Sequence, residues 1–277
     1  MSTRTAAATV TAAPHPCATA HAAFTRVFPD LRIRLTAPPR PAPGWTATGD
    51  LLASAALRAR LVAAETRRTE LRHGAAPRPD VAAGFWLHRL VWPLGLLLSL
   101  PWLLDARVPL LPADRLAHRH PARGGPAELA VLPGAPVRFA CLPDDPRAGH
   151  PAAVPVPDRA ALDRELRTAF AAQLDPLFTA LAPQLRRGPR TLWGLATDEL
   201  TEGLWFAAGL LGRERQAVEA LSALLPGTGT TAPYTGGAAF RRTPAGPCRT
   251  RVSCCLFYTV RPTDPCTGCP REQRPAR

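Results

Sequence analysis

Four of the chain's seven cysteines fall within sixteen residues near its C-terminal end. They are Cys254, Cys255, Cys266 and Cys269, in the spacing C-C-x10-C-x2-C. Four thiolates meet the ligand count of a 2Fe–2S cluster or of a structural zinc ion. In the Cys266-Thr-Gly-Cys269 knuckle a tight turn would let two sulfurs face one metal, and Gly268 can take the positive φ such turns often need. The vicinal pair Cys254-Cys255 is less usual. Neighbouring side chains of a strand point to opposite faces, so both thiols ligate only from a bent backbone. Zinc sites mostly use two knuckles or His-containing sets, a pattern the vicinal pair fits poorly. The residues therefore read as a 2Fe–2S site, with Cys266 and Cys269 on one iron and Cys254 and Cys255 on the other. Cys17, Cys141 and Cys248 stand alone and read as inert. An odd, clustered set is not a secreted disulfide framework and suits a reducing compartment.

Other chemistry is sparse. His118 and His120 form H-x-H in a polar stretch and read as solvated, and the seven histidines show no metal-ligand spacing. Neither a Ser-His-Asp pattern nor a GxGxxG or P-loop motif is present, so no tightly bound nicotinamide or flavin is expected. The formal net charge is +13, and every one of the 34 basic residues is arginine. These arginines are scattered, with no run of five and no interleaved aromatic platform, which argues against nucleic acid as a partner. A docking surface for an acidic electron-carrier protein is an equally physical use of the charge.

The elements that must position the cysteines read as mainly helical. Apolar residues recur at helical spacing over 49–72, and 80–104 reads as one or two apolar helices interrupted at Pro93. Glu128–Leu132 and Val137–Leu142, separated by Pro133-Gly134, read as a β-hairpin. Asp158 is a plausible N-cap for a helix over 159–173, followed by helices over 175–186, 189–211 and 213–225. Residues 226–239, rich in Gly, Thr and Pro, read as a loop. The expected fold class is α+β: a mainly helical domain with a short β-hairpin element and a small C-terminal iron-sulfur segment. Residues 1–45 read as a disordered or loosely ordered Ala/Pro-rich extension, 46–240 as the helical domain and 241–277 as the cluster-binding segment. No Leu/Val-rich leader is visible at the start, and the apolar stretch 85–104 is broken by His88, Arg89 and two prolines. A cytoplasmic protein with at most peripheral membrane association is expected.

The tail RTRVSCCLFYTVRPTDPCTGCPR resembles the C-terminal signature of the FhuF-like ferric-siderophore reductases: a basic residue, Ser/Thr-Cys-Cys, an aromatic-containing strand and Cys-x2-Cys-Pro. Upstream, Arg89-Leu90-Val91-Trp92-Pro93 and Leu192-Trp193-Gly194-Leu195-Ala196 are similar to weaker landmarks of that family. The resemblance implies a cytoplasmic oxidoreductase that passes one electron to Fe(III) held by a hydroxamate-type siderophore. Its electrons would come from an external donor such as a ferredoxin or a flavin reductase. Arg190 and Trp193, in a landmark segment, and Arg242 and Arg251, near the cysteines, are the candidate substrate residues. Arg249 and Arg251 would stabilise the reduced cluster, and Ser253 would hydrogen-bond a cluster sulfur. The rival expectations are a non-catalytic 2Fe–2S carrier or sensor and a zinc-stabilised binding module.

Overall fold

The computed structural model describes residues 14–35, 44–121, 126–227, 231, 233–244, 246–264 and 266–272. In chain order the elements are α1 (Ala18–Val27), β1 (Leu31–Arg34), β2 (Trp45–Ala47), α2 (Thr48–Ala53), α3 (Ala55–His73), α4 (Pro79–Asp105), β3 (Arg107–Leu110), β4 (Leu116–Arg119), β5 (Ala127–Val131), β6 (Arg138–Cys141), β7 (Ala153–Pro155), α5 (Arg159–Leu185), α6 (Pro189–Leu210), α7 (Glu214–Leu224), β8 (Arg241–Thr243) and β9 (Gly246–Cys248). The class is α+β and mainly helical.

α4 is the axis of the core. It is apolar on all sides, so it can only be stable when covered on all sides, and α1, α3, α5 and α6 pack around it. By length and composition α4 could cross a membrane, but 78% of its apolar window is buried inside the fold. Pro93 and Pro101 lie inside this one helix, where an interruption at Pro93 is expected from sequence. Each proline removes one backbone donor, and the burial of Leu90, Val91, Leu94 and Leu96–Leu98 on the surrounding helices holds the helix together across that loss. The same reason joins the two helices expected at 159–173 and 175–186 into α5, which carries Pro176 and Pro183 internally and buries Leu174, Leu177, Phe178 and Leu181. Local signals fix the ends. Asp158 accepts a hydrogen bond from the Ala161 N–H at 2.7 Å, and Ser54 caps α3 through the Leu57 N–H.

Two expectations are corrected. The hairpin expected from Glu128–Leu132 and Val137–Leu142 does not form. β5 instead lies in a four-stranded sheet of order β1-β5-β4-β2, whereas β6 pairs with β3 and β7 in a second sheet. Both runs are buried and apolar, so each takes partners on both edges rather than pairing with its sequence neighbour. Among the described residues, consecutive strands pair antiparallel at β4–β5 and at the short hairpin β8–β9, where Arg241 lies opposite Cys248. The extension expected over 1–45 is ordered through much of its described part: α1 buries Phe24 against the core, and β1 adds to the sheet in parallel with β5. Ala20, Phe24, Leu31, Ile33 and Leu35 supply apolar area that an Ala/Pro-rich composition conceals. Residues 1–13 and 36–43 of that extension lie outside the described residues.

Candidate metal centre

α6 is the platform on which the cysteine segment rests. Its residues Thr197, Asp198 and Glu199 are buried in mid-helix. Asp198 collects the segment almost alone. Its Oδ1 accepts from Arg249 Nη2 at 2.7 Å and from the Val252 N–H at 2.8 Å; its Oδ2 accepts from the Ser253 N–H at 2.8 Å and the Ser253 hydroxyl at 3.0 Å. Arg249, itself 4% exposed, also donates to Glu202 at 2.6 Å and to the Ala238 carbonyl at 2.9 Å. A buried carboxylate with four donors and a paired guanidinium meets the condition for keeping charge out of water. Gly194, one turn earlier on α6, makes the approach possible: a Cβ there would stand 3.1 Å from Val252 Cγ1.

The two halves of the cysteine motif are stapled by backbone. The Arg251 N–H donates to the Gly268 carbonyl at 2.9 Å, and the Cys269 N–H to the Cys266 carbonyl at 3.0 Å, closing the knuckle turn. Gly268 has φ +70°, the positive value expected from the sequence, and a Cβ there would meet the Arg249 carbonyl at 2.8 Å. Across this staple the Cys255 and Cys266 sulfurs lie 3.4 Å apart. Two thiolates on one tetrahedral metal, at metal–sulfur bonds of about 2.3 Å, would be separated by roughly 3.8 Å. Among the described residues, the sulfur contact that forms joins Cys255 of the C-C half to Cys266 of the C-x2-C half. Backbone staples join the halves side by side, and residues of different halves become neighbours.

Charge collects around this sulfur pair. The Cys266 thiol donates to Cys255, which also accepts from the Phe257 N–H at 3.4 Å, and these bonds with Arg251 and His88 lower the Cys255 pKa to about 6 despite its burial. Cys266 is correspondingly pushed up. Arg251 lies 3.4 Å from Glu199 and 3.9 Å from Asp198 and Glu202. Burial works against its charge, but Glu202, Glu199, Asp198 and the Cys255 sulfur outweigh it and raise its pKa. His88, on α4, bonds Glu199 at 2.7 Å, and that carboxylate raises its pKa. Arg187 holds the Cys254 carbonyl at 2.8 Å. The sulfur pair opens into a cavity of about 170 Å³ walled by Phe85, His88, Glu199 and Arg251.

The donor set fits a thiophilic cofactor in type and in the closeness of Cys255 and Cys266. Among the described residues no three His, Cys, Asp or Glu side chains converge at metal-ligand range. Ligation by all four cysteines therefore requires Cys254 and the buried Cys269 to turn toward the pair that is already formed.

The other sequence candidates are dispersed. Of the substrate candidates, Arg251 faces the sulfur cavity. Trp193 packs between Phe178 of α5 and Tyr234, at ring-centroid distances of 5.2 and 5.6 Å. Arg242 is exposed on the β8–β9 hairpin, and Arg190 is exposed in the first turn of α6. The Ser253 hydroxyl serves Asp198 instead of a sulfur, because the carboxylate is the stronger acceptor within reach. His118 and His120 are not solvated: His118 lies in β4 and is 4% exposed. Cys17 and Cys141 are buried and their thiols are pushed up by that burial, as suits inert cysteines. Asp198, Glu199, Glu202 and His88 were not anticipated. The signal for the acids was available, since Leu195, Asp198 and Glu202 share one helical face on which carboxylates have no business unless paired. No protein-family model matches the chain, and no curated protein matches it.

Proposed function

We propose that the chain is a cytoplasmic reductase of ferric siderophores that holds a 2Fe–2S cluster on Cys254, Cys255, Cys266 and Cys269. The observation that carries this reading is the 3.4 Å pairing of Cys255 and Cys266 across two stapled segments, beside an open cavity and a paired arginine. When bound, such a cluster supplies one electron at a time. Siderophore oxygens are hard donors that hold Fe(III) far more tightly than Fe(II), so one electron loosens the metal without a bond of the chelator being cut. That chemistry asks for no nucleophile and no acid–base pair. The chain's residues have other tasks. Asp198 fixes the backbone before Cys254, Arg251 places positive charge next to the sulfurs, and Phe257 shields one side while leaving the cavity open. The electron donor is a separate ferredoxin or flavin reductase.

The test is anaerobic. The purified chain is reduced with dithionite, excess reductant is removed, and a panel of ferric siderophores is added while the visible spectrum is followed. Reoxidation that is faster with a ferric siderophore than in buffer supports the reading. Indifference to every siderophore, in a protein that carries the cluster, overturns it in favour of a carrier or sensor.

A further inference from the structure

A wider cleft runs from the sulfur cavity along α3 and α4. A cavity of about 530 Å³ shares Phe85, His88 and Phe257 with the sulfur cavity. A second, of about 730 Å³, shares Glu65, Arg68, Arg72, Arg89 and His120 with the first and ends on His118 and Trp86. Four guanidiniums, of Arg67, Arg68, Arg72 and Arg89, line these two cavities against the carboxylates of Asp30 and Glu65. Among the described residues, the ion pair made by these four is Arg89 with Glu65 at 3.4 Å. Arg68 spends one donor on the Pro121 carbonyl.

The wall also holds buried polar atoms without partners. Both ring nitrogens of His118 and Nε2 of His120 are buried and make no hydrogen bond among the described residues. A buried polar atom left unpaired is destabilising, and a ligand oxygen would satisfy the N–H of such a neutral imidazole. The surplus of positive charge is felt by Arg89, His118 and His120. Burial, with Arg68 and Arg72, lowers the Arg89 pKa although Glu65 pulls it up. Burial and Arg89 lower His118 to about 4, and burial, His118, Arg89 and Arg68 lower His120 to about 3. Planar guanidinium forks suit carboxylates.

We propose that this double cleft receives a ferric chelate of net negative charge, a hydroxamate complex bearing free carboxylates, with the arginines and His118 holding the carboxylates and the iron end toward Phe257 and the sulfur pair. This assignment rests on the reductase reading and narrows its substrate class.

The probes are ferric aerobactin, a citrate-centred dihydroxamate with free carboxylates, and ferrichrome, a neutral trihydroxamate. Each is titrated calorimetrically into the full oxidised chain at constant ionic strength. Arg67 and Arg72 are exposed on α3, so Arg67→Gln/Arg72→Gln leaves the core untouched. The wild-type chain binds ferric aerobactin at least about tenfold more tightly than ferrichrome, and the double variant loses about tenfold for aerobactin and nothing for ferrichrome. Arg213→Gln/Arg215→Gln removes the same net charge outside the cleft and leaves both affinities unchanged. Equal affinity for the two chelates, or an equal loss in the control variant, overturns the assignment. Reoxidation is measured separately. A chain that discriminates by charge but passes no electron retains the anionic site and sinks the reductase reading. A chain that reduces both chelates but binds them alike does the reverse.

Discussion

The helical centre and the cysteine segment are held together by different physics. Around α4 the contacts are apolar: Leu96, Leu97, Leu98, Leu100 and Trp102 are fully buried and touch α1, α3, α5 and α6. Such packing is non-directional and spread over many residues. The cysteine segment buries few apolar side chains beyond Val260 and Cys269 and is instead anchored on α6 through carboxylates: Arg249, Val252 and Ser253 all donate to Asp198, and Glu202 takes a second bond from Arg249. Directional bonds fix the orientation of the backbone that leads into the cysteines, which non-directional packing does not do. They also concentrate the risk in single residues.

The contrast is sharpest at Asp198. Asp198→Ala leaves the buried Arg249 with Glu202 and the Ala238 carbonyl as its partners and removes three further bonds, for a loss of about 3–5 kcal/mol. Iron content should fall steeply while far-UV circular dichroism of the helices persists below the melting transition. A variant that keeps full iron would show that the segment is not anchored through this residue. Leu100→Ala, in the opposite region, opens a cavity under α4 and costs about 2–5 kcal/mol in denaturant melts. Here the folded fraction should keep a normal ratio of iron to protein. If iron falls with stability in this variant as it does in the first, the two regions are one cooperative unit and the distinction fails.

Acid should loosen the helical centre by a route of its own. His21 on α1 is 2% exposed, donates from Nε2 to the Leu97 carbonyl at 2.9 Å, and has its pKa lowered to about 4 by burial. The folded chain therefore binds fewer protons than the unfolded chain between about pH 6.5 and 4, and stability is lost as pH falls through that window, by up to about 3 kcal/mol from this group. His21→Gln should flatten the fall in melting temperature over that range. The smallest expected effect is at the staple. Gly268→Ala places a side chain at φ +70°, which costs about 1–2 kcal/mol, and brings its Cβ against the Arg249 carbonyl. The global melting temperature should move little, while any visible cluster spectrum broadens or is lost.

Much of this contrast was legible in the sequence, though unevenly. The capped helices were readable because Asp158 and the apolar periodicity of α3, α6 and α7 are local signals. The continuity of α4 and α5 through prolines was not, because it depends on helices packed from elsewhere in the chain. Strand pairing was misread at β5 and β6 because partners such as β1 lie about a hundred residues away. In the site, the cysteines and the positive-φ glycine could be named from spacing alone. What their spacing could not say was which sulfurs meet, since Cys255 and Cys266 are brought together by a backbone bond between Arg251 and Gly268 and by a carboxylate on a different element. His118 was misjudged because a short polar-looking strand in the middle of a sheet is buried by its neighbours, and no local residue announces that.

The decisive measurement is iron and acid-labile sulfide per chain in anaerobically purified wild-type protein, with Cys255→Ser and Cys266→Ser alongside. About two irons and two sulfides per chain with visible charge-transfer bands, lost in either serine variant while the helical fold persists, is the outcome required. Colourless wild-type protein carrying zinc, or a cluster that survives both substitutions, would contradict it.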